Sequence, residues 1–268
     1  MDISVLGPLE ASVNGRSFTP TAAKPRQILA LLALQVGQVV TVPALIDELW
    51  ATHPPRSALT TLQTYIMQLR RGIDAALAGT GTAKAMLVTR YGGYMLEIEP
   101  DDVDAYRYER MVAGGTKAME EGDCERASRL LWAGLEMWHG QTLVDVQIGQ
   151  RLGLEVTRLE ESRMSVLELR IDADLRLGRH NALLGELSVL ATRYPTHENL
   201  CALYMIALYR SGRQWRALEV FKHLRLTLAG QLGVEPSARL QHLHRAILLS
   251  DPALDEPTHP GRNATVGR

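Results

Sequence analysis

The stretch SALTTLQTYIMQLRR, residues 57–71, sets Ser57, Thr60, Thr61, Thr64, Gln68 and Arg71 one, three or four residues apart. At about 100° per residue these side chains share one side of a helix, with Met67 among them. Short hydroxyls, a long amide and a guanidinium are groups that hydrogen-bond base edges and phosphates. A threonine methyl can also pack on the methyl of thymine. No acid interrupts the face. An ordinary solvated face favours Glu, Lys and Gln, which keep helix propensity, over threonine, which weakens it. The plainer alternative is a surface where threonine is simply tolerated.

Several elements must hold that face in place. Leu59, Leu62, Ile66, Leu69 and Ile73 recur at helical spacing on the opposite side and form the apolar seam. Upstream, ISVLG and LEASVN alternate, Asn14-Gly15 is a hairpin turn, and RSFTP returns, which predicts short strands. KPRQILALLALQV then changes to helical period, with Pro25 in the first turn and Gly37 at the end. Thr41 is placed to cap PALIDELW, ATHPPR is a rigid break, and Ser57 is placed to cap the long helix. After the linker-like LAGTGTA, MLVTRYGGYMLEIE reads as strand, Gly-Gly turn and strand, with Arg90 and Tyr91 near the tip. Strands, three helices and a hairpin are the order of a winged helix. In that fold the third helix enters the major groove and the wing reaches the neighbouring backbone or minor groove. Lys24, Arg26, Arg56 and Arg70 are the cations expected at phosphates.

Charge supports this division. Residues 20–96 carry seven bases against three acids, a surplus of four, while 21 bases face 23 acids from residue 101 onward. A basic front and a mildly acidic back suggest two modules with different partners. The start, MDISVLGPLE, lacks the basic and apolar regions of a signal peptide. No stretch approaches the roughly 20 apolar residues that span a bilayer. The expected location is the cytoplasm, on the nucleoid, with no membrane partner.

Beyond EPDDVD the sequence is a succession of helical stripes separated by Gly or Pro. LGR at 177–179 and SGR at 211–213 place Gly178 and Gly212 34 residues apart, the tetratricopeptide period. GDCERASRLL at 122–131 opens in the same Gly-then-Ala manner. Such helix hairpins stack and offer protein-binding surfaces. The tail from residue 251 is polar and rich in Pro and Gly and is expected to be disordered.

Enzyme chemistry finds no support. There is no phosphate-binding G-x-x-x-x-G-K, no H-E-x-x-H, no C-x-x-C and no nucleophile elbow. Cys124 and Cys201 are far apart, and His242 and His244 sit at the wrong spacing for a shared ligand on a helix. Asp101, Asp102 and Asp104 precede a helix and read as dipole-capping acids rather than a metal site. Trp50, Trp132, Trp138 and Trp215 read as core or inter-helix wedges. Neither a cofactor nor a metal is expected.

Two stretches carry a resemblance to a known family: VVTVPALIDELWATHPPRSALTTLQTYIMQLRRGI (39–73) with TRYGGYML (89–96), and HENLCALYMIALYRSGRQWRALEVFKHLRLTLAGQLGVEPSARL (197–240). The chain resembles the Streptomyces antibiotic regulatory protein (SARP) family of transcriptional activators over nearly its whole length to about residue 250. The resemblance implies a mainly α fold with a small β component. It joins an OmpR-type winged helix at 1–98 to an all-α, tetratricopeptide-like bacterial transcriptional activation domain at 101–250, with 251–268 as the tail. It further implies a sequence-specific DNA-binding activator of a secondary-metabolite gene cluster, acting on direct repeats in promoter DNA and recruiting RNA polymerase. Polymerase contact would involve the loop 50–57, including Trp50, Thr52, His53, Pro54 and Pro55. A homodimer on DNA fits tandem repeats. No receiver or nucleotide-binding switch motif accompanies the two modules, so control by expression level or by a ligand or protein at the helical half is expected. Two other readings remain at this point: a helical-repeat adaptor whose winged helix does not bind DNA, and a repressor on the same DNA.

Overall fold

A computed structural model of the chain describes residues 1–255. It divides into two compact units, residues 1–112 with 133–164, and residues 113–132 with 165 onward.

The first unit opens with an antiparallel sheet of β1 (Asp2–Ser4), β2 (Glu10–Val13) and β3 (Arg16–Ser17), in which Ile3 faces Ala11. The predicted Asn14-Gly15 turn joins β2 to β3, with both residues at positive φ, as a tight two-residue hairpin requires. Helix α1 (Ala23–Ala33) follows, and its Ile28–Ala33 run is wholly buried. Thr41 caps α2 (Val42–Trp50) as expected, accepting from Ala44 N at 3.3 Å. Ser57 does not cap α3 (Ala58–Leu77): its hydroxyl makes no cap bond and lies 3.4 Å from Thr61 Oγ1 instead.

The α3 seam is real but starts one turn later than expected. Leu62, Ile66, Leu69 and Ile73 are at most 2% exposed, whereas Leu59 is 50% exposed. Helical geometry sets Leu59 about 60° from Leu62, in the first turn, where the neighbouring core has ended. A short helix α4 (Ala83–Met86), which periodicity is too brief to reveal, starts where Asp74 Oδ1 accepts from Ala83 N at 2.6 Å. The wing is β5 (Leu87–Arg90) and β6 (Gly93–Leu96), and a two-residue strand β4 (Val40–Thr41) pairs with β6. Gly93 is required there, because a Cβ would lie 2.3 Å from Val40 O. The unit also includes the N-terminal parts of α5 (Asp104–Glu120) and α7 (Gln150–Arg176), with the C-terminal end of α6 (Cys124–Leu135) and the segment after it.

The second unit contains the rest of α5, α6 and α7, then α8 (His180–Arg193), α9 (Glu198–Arg210), α10 (Gln214–Leu232) and α11 (Ala238–Leu248). Its helix ends repeat one device. At Gly122, Gly178 and Gly212 the chain turns through positive φ, and the following N–H reaches back to Ala118, Asp174 and Leu208 O respectively. Ser250 does the same after α11, with Asp251 N bonded to Ala246 O. The expected disordered tail therefore starts with an ordered turn at Pro252–Leu254, where Leu254 O accepts from Arg210 Nε at 2.8 Å. The remainder of that segment, 256–268, lies outside the described residues. Trp138 is a buried wedge as expected. Trp132 and Trp215, at 48% and 63% exposed, lie on the surface instead.

Candidate nucleic-acid interface

The exposed side of α3 carries Thr60, Thr64, Gln68 and Arg71, with Gln63 and Met67 beside them and Thr61 half-buried. Their directions follow from the seam. Once Leu62, Ile66 and Leu69 face the core, the residues opposite must face away. Thr64 donates its hydroxyl to Thr60 O at 3.0 Å, which leaves the oxygen lone pairs and the methyl facing outward. Ser57 and Arg56 extend the face at its N-terminal end, both exposed. Neither Arg56 nor Arg71 has an ion-pair or hydrogen-bond partner among the described residues. Long guanidiniums left without internal acceptors are available to a polyanion.

At the wing tip Tyr91 is fully exposed and Gly92 turns at φ 76°. Arg90 Nη2 pairs with Glu97 Oε2 at 3.1 Å, both side chains about half exposed. An ion pair in that much water is worth roughly 0–1 kcal/mol, so a phosphate or a groove can take Arg90 from Glu97.

The remaining cations assigned from sequence to phosphates are placed differently. Lys24 Nζ donates to Leu49 O and Gln27 Oε1, and burial pushes its pKa down against the opposing pull of Glu48. Arg26 donates to Pro20 O at 2.9 Å and Leu9 O at 3.1 Å and pairs with Asp145. Arg70 donates to Leu87 O and Thr89 Oγ1. A donor held by a partly buried carbonyl costs a hydrogen bond to move, so these three are structural cations before they are phosphate ligands. The sequence could not reveal this, because each of the three is held in part by a main-chain oxygen: Leu49 O, Pro20 O and Leu9 O, and Leu87 O.

The loop between α2 and α3 is exposed from Ala51 to Ser57. Ala51 adopts φ 50°, ψ −121°, a conformation seldom taken by residues with a Cβ. The loop is anchored at both ends: Trp50 stacks on Tyr65 with centroids 6.5 Å apart, and Ala58 N bonds Pro55 O. Thr52 Oγ1 and His53 Nδ1 are 2.8 Å apart, so the Thr-His-Pro-Pro tip presents a defined surface.

Two acids that the sequence reading undervalued hold this unit together. Glu48, 4% exposed, accepts from Gly149 N at 2.8 Å, Arg151 N at 2.7 Å and Leu152 N at 3.3 Å. Its carboxylate thus satisfies free amides at the start of α7. Gly149 is obligatory, since a Cβ would lie 2.5 Å from Glu48. A signal existed: at helical period Glu48 falls between Ala44 and Leu45 on the buried face of α2. Asp104 is not merely a dipole cap. It accepts from Val5 N at 2.9 Å and Leu6 N at 3.2 Å, while burial pushes its pKa up against those bonds.

Comparison with known proteins agrees with this geometry. Residues 17–96 match the family described as transcriptional regulatory protein, C terminal, and residues 103–248 match the bacterial transcriptional activator domain. The chain is 58% identical over 257 residues to the regulatory protein DnrI of Streptomyces peucetius, covering 95% of this chain and 94% of that one. It belongs to the SARP family. A second relative, the transcriptional regulator RedD of Streptomyces coelicolor, is 36% identical over 96% of this chain and 73% of its own. Among solved structures, Mycobacterium tuberculosis EmbR, determined with a low-affinity phosphopeptide, superposes with a TM-score of 0.88 at 30% identity. That match covers 96% of this chain and 66% of EmbR. This SARP protein is therefore a DNA-binding transcriptional activator with an OmpR-type winged helix and a helical activator domain, and its family is one of regulators rather than enzymes. Among the described residues no helix is long and apolar enough to cross a membrane.

Proposed function

We propose that this SARP regulator switches on a secondary-metabolite gene cluster from direct repeats in promoter DNA. In this reading α3 lies in the major groove with Thr60, Thr61, Thr64 and Gln68 on base edges, while Ser57, Arg56 and Arg71 meet the flanking phosphates. The wing sets Arg90 and Tyr91 at the adjacent minor groove. The loop of Trp50, Thr52, His53, Pro54 and Pro55 faces RNA polymerase, and two copies of the chain occupy neighbouring repeats. It works in the cytoplasm, on the nucleoid, and the two modules divide near residues 98–101, DNA binding before and activation after.

The observation that carries the reading is the exposed face of α3 from Ser57 to Arg71, free of acids, whose outward hydroxyls, amide and guanidinium contrast with a buried seam on the same helix. A structural helix gains nothing from such a face, whereas a groove reader needs those donors and acceptors. The test is footprinting of the full chain on promoters of the surrounding gene cluster, followed by transcription in vitro with RNA polymerase. Protection of tandem half-sites and increased transcript are expected. Protection with reduced transcript would mean repression, and binding without sequence preference would remove α3 as the reader.

A further inference from the structure

We infer that Arg70 is a positioning residue that fixes the wing against the recognition helix, and so governs how Arg90 meets DNA. The inference rests on the proposed seating of α3 and the wing, and assigns a task to a cation that sequence alone gives to phosphate. Wing strand β5 is the outer strand of its sheet, whose order is β4, β6, β5. Glu97 N bonds Met86 O at 2.7 Å, so the antiparallel alternation puts Leu87 and Thr89 at the positions whose main-chain groups point away from β6. That open edge is where Arg70 docks. Its Nε and Nη2 reach Leu87 O at 3.0 and 2.7 Å, and Nη2 also reaches Thr89 Oγ1 at 2.8 Å.

The guanidinium thereby replaces a missing strand partner and ties β5 to α3 one residue before Arg71. On its other side β6 pairs with the two residues of β4, and Gly37 N and Val42 N bond Leu96 O and Gly92 O at 2.9 and 2.8 Å, so Arg70 supplies the matching hold on the β5 edge. A planar fork with donors in fixed directions can serve a carbonyl and a hydroxyl together, whereas an ammonium carries the same charge without that geometry. The brace also lies three residues from Arg90 through Leu87 and one through Thr89. A change of angle there is passed directly to the wing tip.

The experiment uses the full chain and a duplex that it selects from a random-sequence library. Affinity is measured against salt, and protection is mapped separately under α3 and under the wing, for Arg70→Lys, Arg70→Ala, Arg90→Ala and the Arg70→Ala/Arg90→Ala double variant. Thermal unfolding of each checks the fold, and Thr89→Val removes one exposed acceptor without touching the helix. Arg70→Lys is expected to lose protection under the wing, keep it under α3, and bind about tenfold more weakly, the loss of one good groove contact. Thr89→Val should weaken protection at the same place. The double variant should bind no worse than Arg90→Ala, because both changes disable one device. Losses that simply add would overturn the inference. So would full retention by Arg70→Lys with a salt slope lowered by about one in Arg70→Ala, the behaviour of a direct phosphate ligand. Gln68→Ala serves as the reference for the seating itself: if it too binds normally, the placement of α3 on DNA has failed rather than the brace alone.

Discussion

In the helical unit charge is turned inward. Arg170, 2% exposed, pairs with Asp174 and Glu186 beneath the ring of Trp132, and Arg179 joins Asp174 to Glu125 at 2.9 and 2.8 Å. Ser128 donates to the same Asp174 at 2.8 Å. On the exposed face of α3 the arrangement is reversed: no acid falls between Ser57 and Arg71, Asp74 one turn further on is engaged by Ala83 N, and Arg56 and Arg71 lack partners among the described residues. Both regions are helical and both contain arginine. The difference shows that arginine content says little about nucleic-acid binding until its counter-charges are located. A guanidinium already neutralised and buried releases no counterion from DNA, while a free one does.

The strongest way to break this contrast is to remove the buried arginine. Arg170→Ala leaves Glu186 without its cation and Asp174 with Arg179 alone, and should destabilise the helical unit by about 2–3 kcal/mol, below the full penalty of a broken buried pair because Glu186 is partly in water. Urea unfolding of the full chain measures it. A loss below about 1 kcal/mol would mean that the network is ornamental and the contrast with α3 is overstated. The next effect belongs to the other side. Thr64→Ala and Gln68→Ala open no cavity, so unfolding midpoints should stay put while operator affinity falls by about 1–3 kcal/mol each. Equal affinity for both variants and the parent would place the wrong face of α3 against DNA.

A smaller change sharpens the electrostatic half of the comparison. Arg71→Ala should weaken binding to all duplexes alike and lower the salt slope by about one unit, and Arg129→Ala, on α6, where the guanidinium lies 3.8 Å from the Glu125 carboxylate, should leave the slope alone. Matching slopes for the two variants would erase the distinction between free and paired arginine. The smallest effect is a pH response confined to the helical unit. His244 stacks on Phe221 at 3.9 Å, and burial, with Arg225 nearby, lowers its pKa below 6.5. A lowered folded-state pKa means that its contribution to stability is present above pH 6.5 and lost as pH falls through the folded value. His244→Phe should therefore flatten the stability profile of the chain below pH 6.5 in urea titrations. An unchanged slope there would assign the response to other groups.

Periodicity alone determined much of this protein. The α3 seam, the Asn14-Gly15 hairpin, the Thr41 cap, the Gly-Gly wing and the 34-residue spacing of Gly178 and Gly212 are local features, written within a few residues of the contacts they make. The acid-free face of α3 was legible for the same reason, since neighbours on a helix are three and four residues apart. Tertiary structure decided what depended on distant partners. Glu48 meets amides about a hundred residues away, Asp104 meets Val5 and Leu6, and Arg70 meets a strand edge seventeen residues on. In each case the distant partners include a main-chain N–H or C=O. Every residue carries those groups whatever its type, so sequence marks the charged side chain but not the backbone atom it will find. For that reason the face proposed to read DNA was visible in the residues themselves, while the division of Lys24, Arg26 and Arg70 from Arg56 and Arg71 had to await the fold.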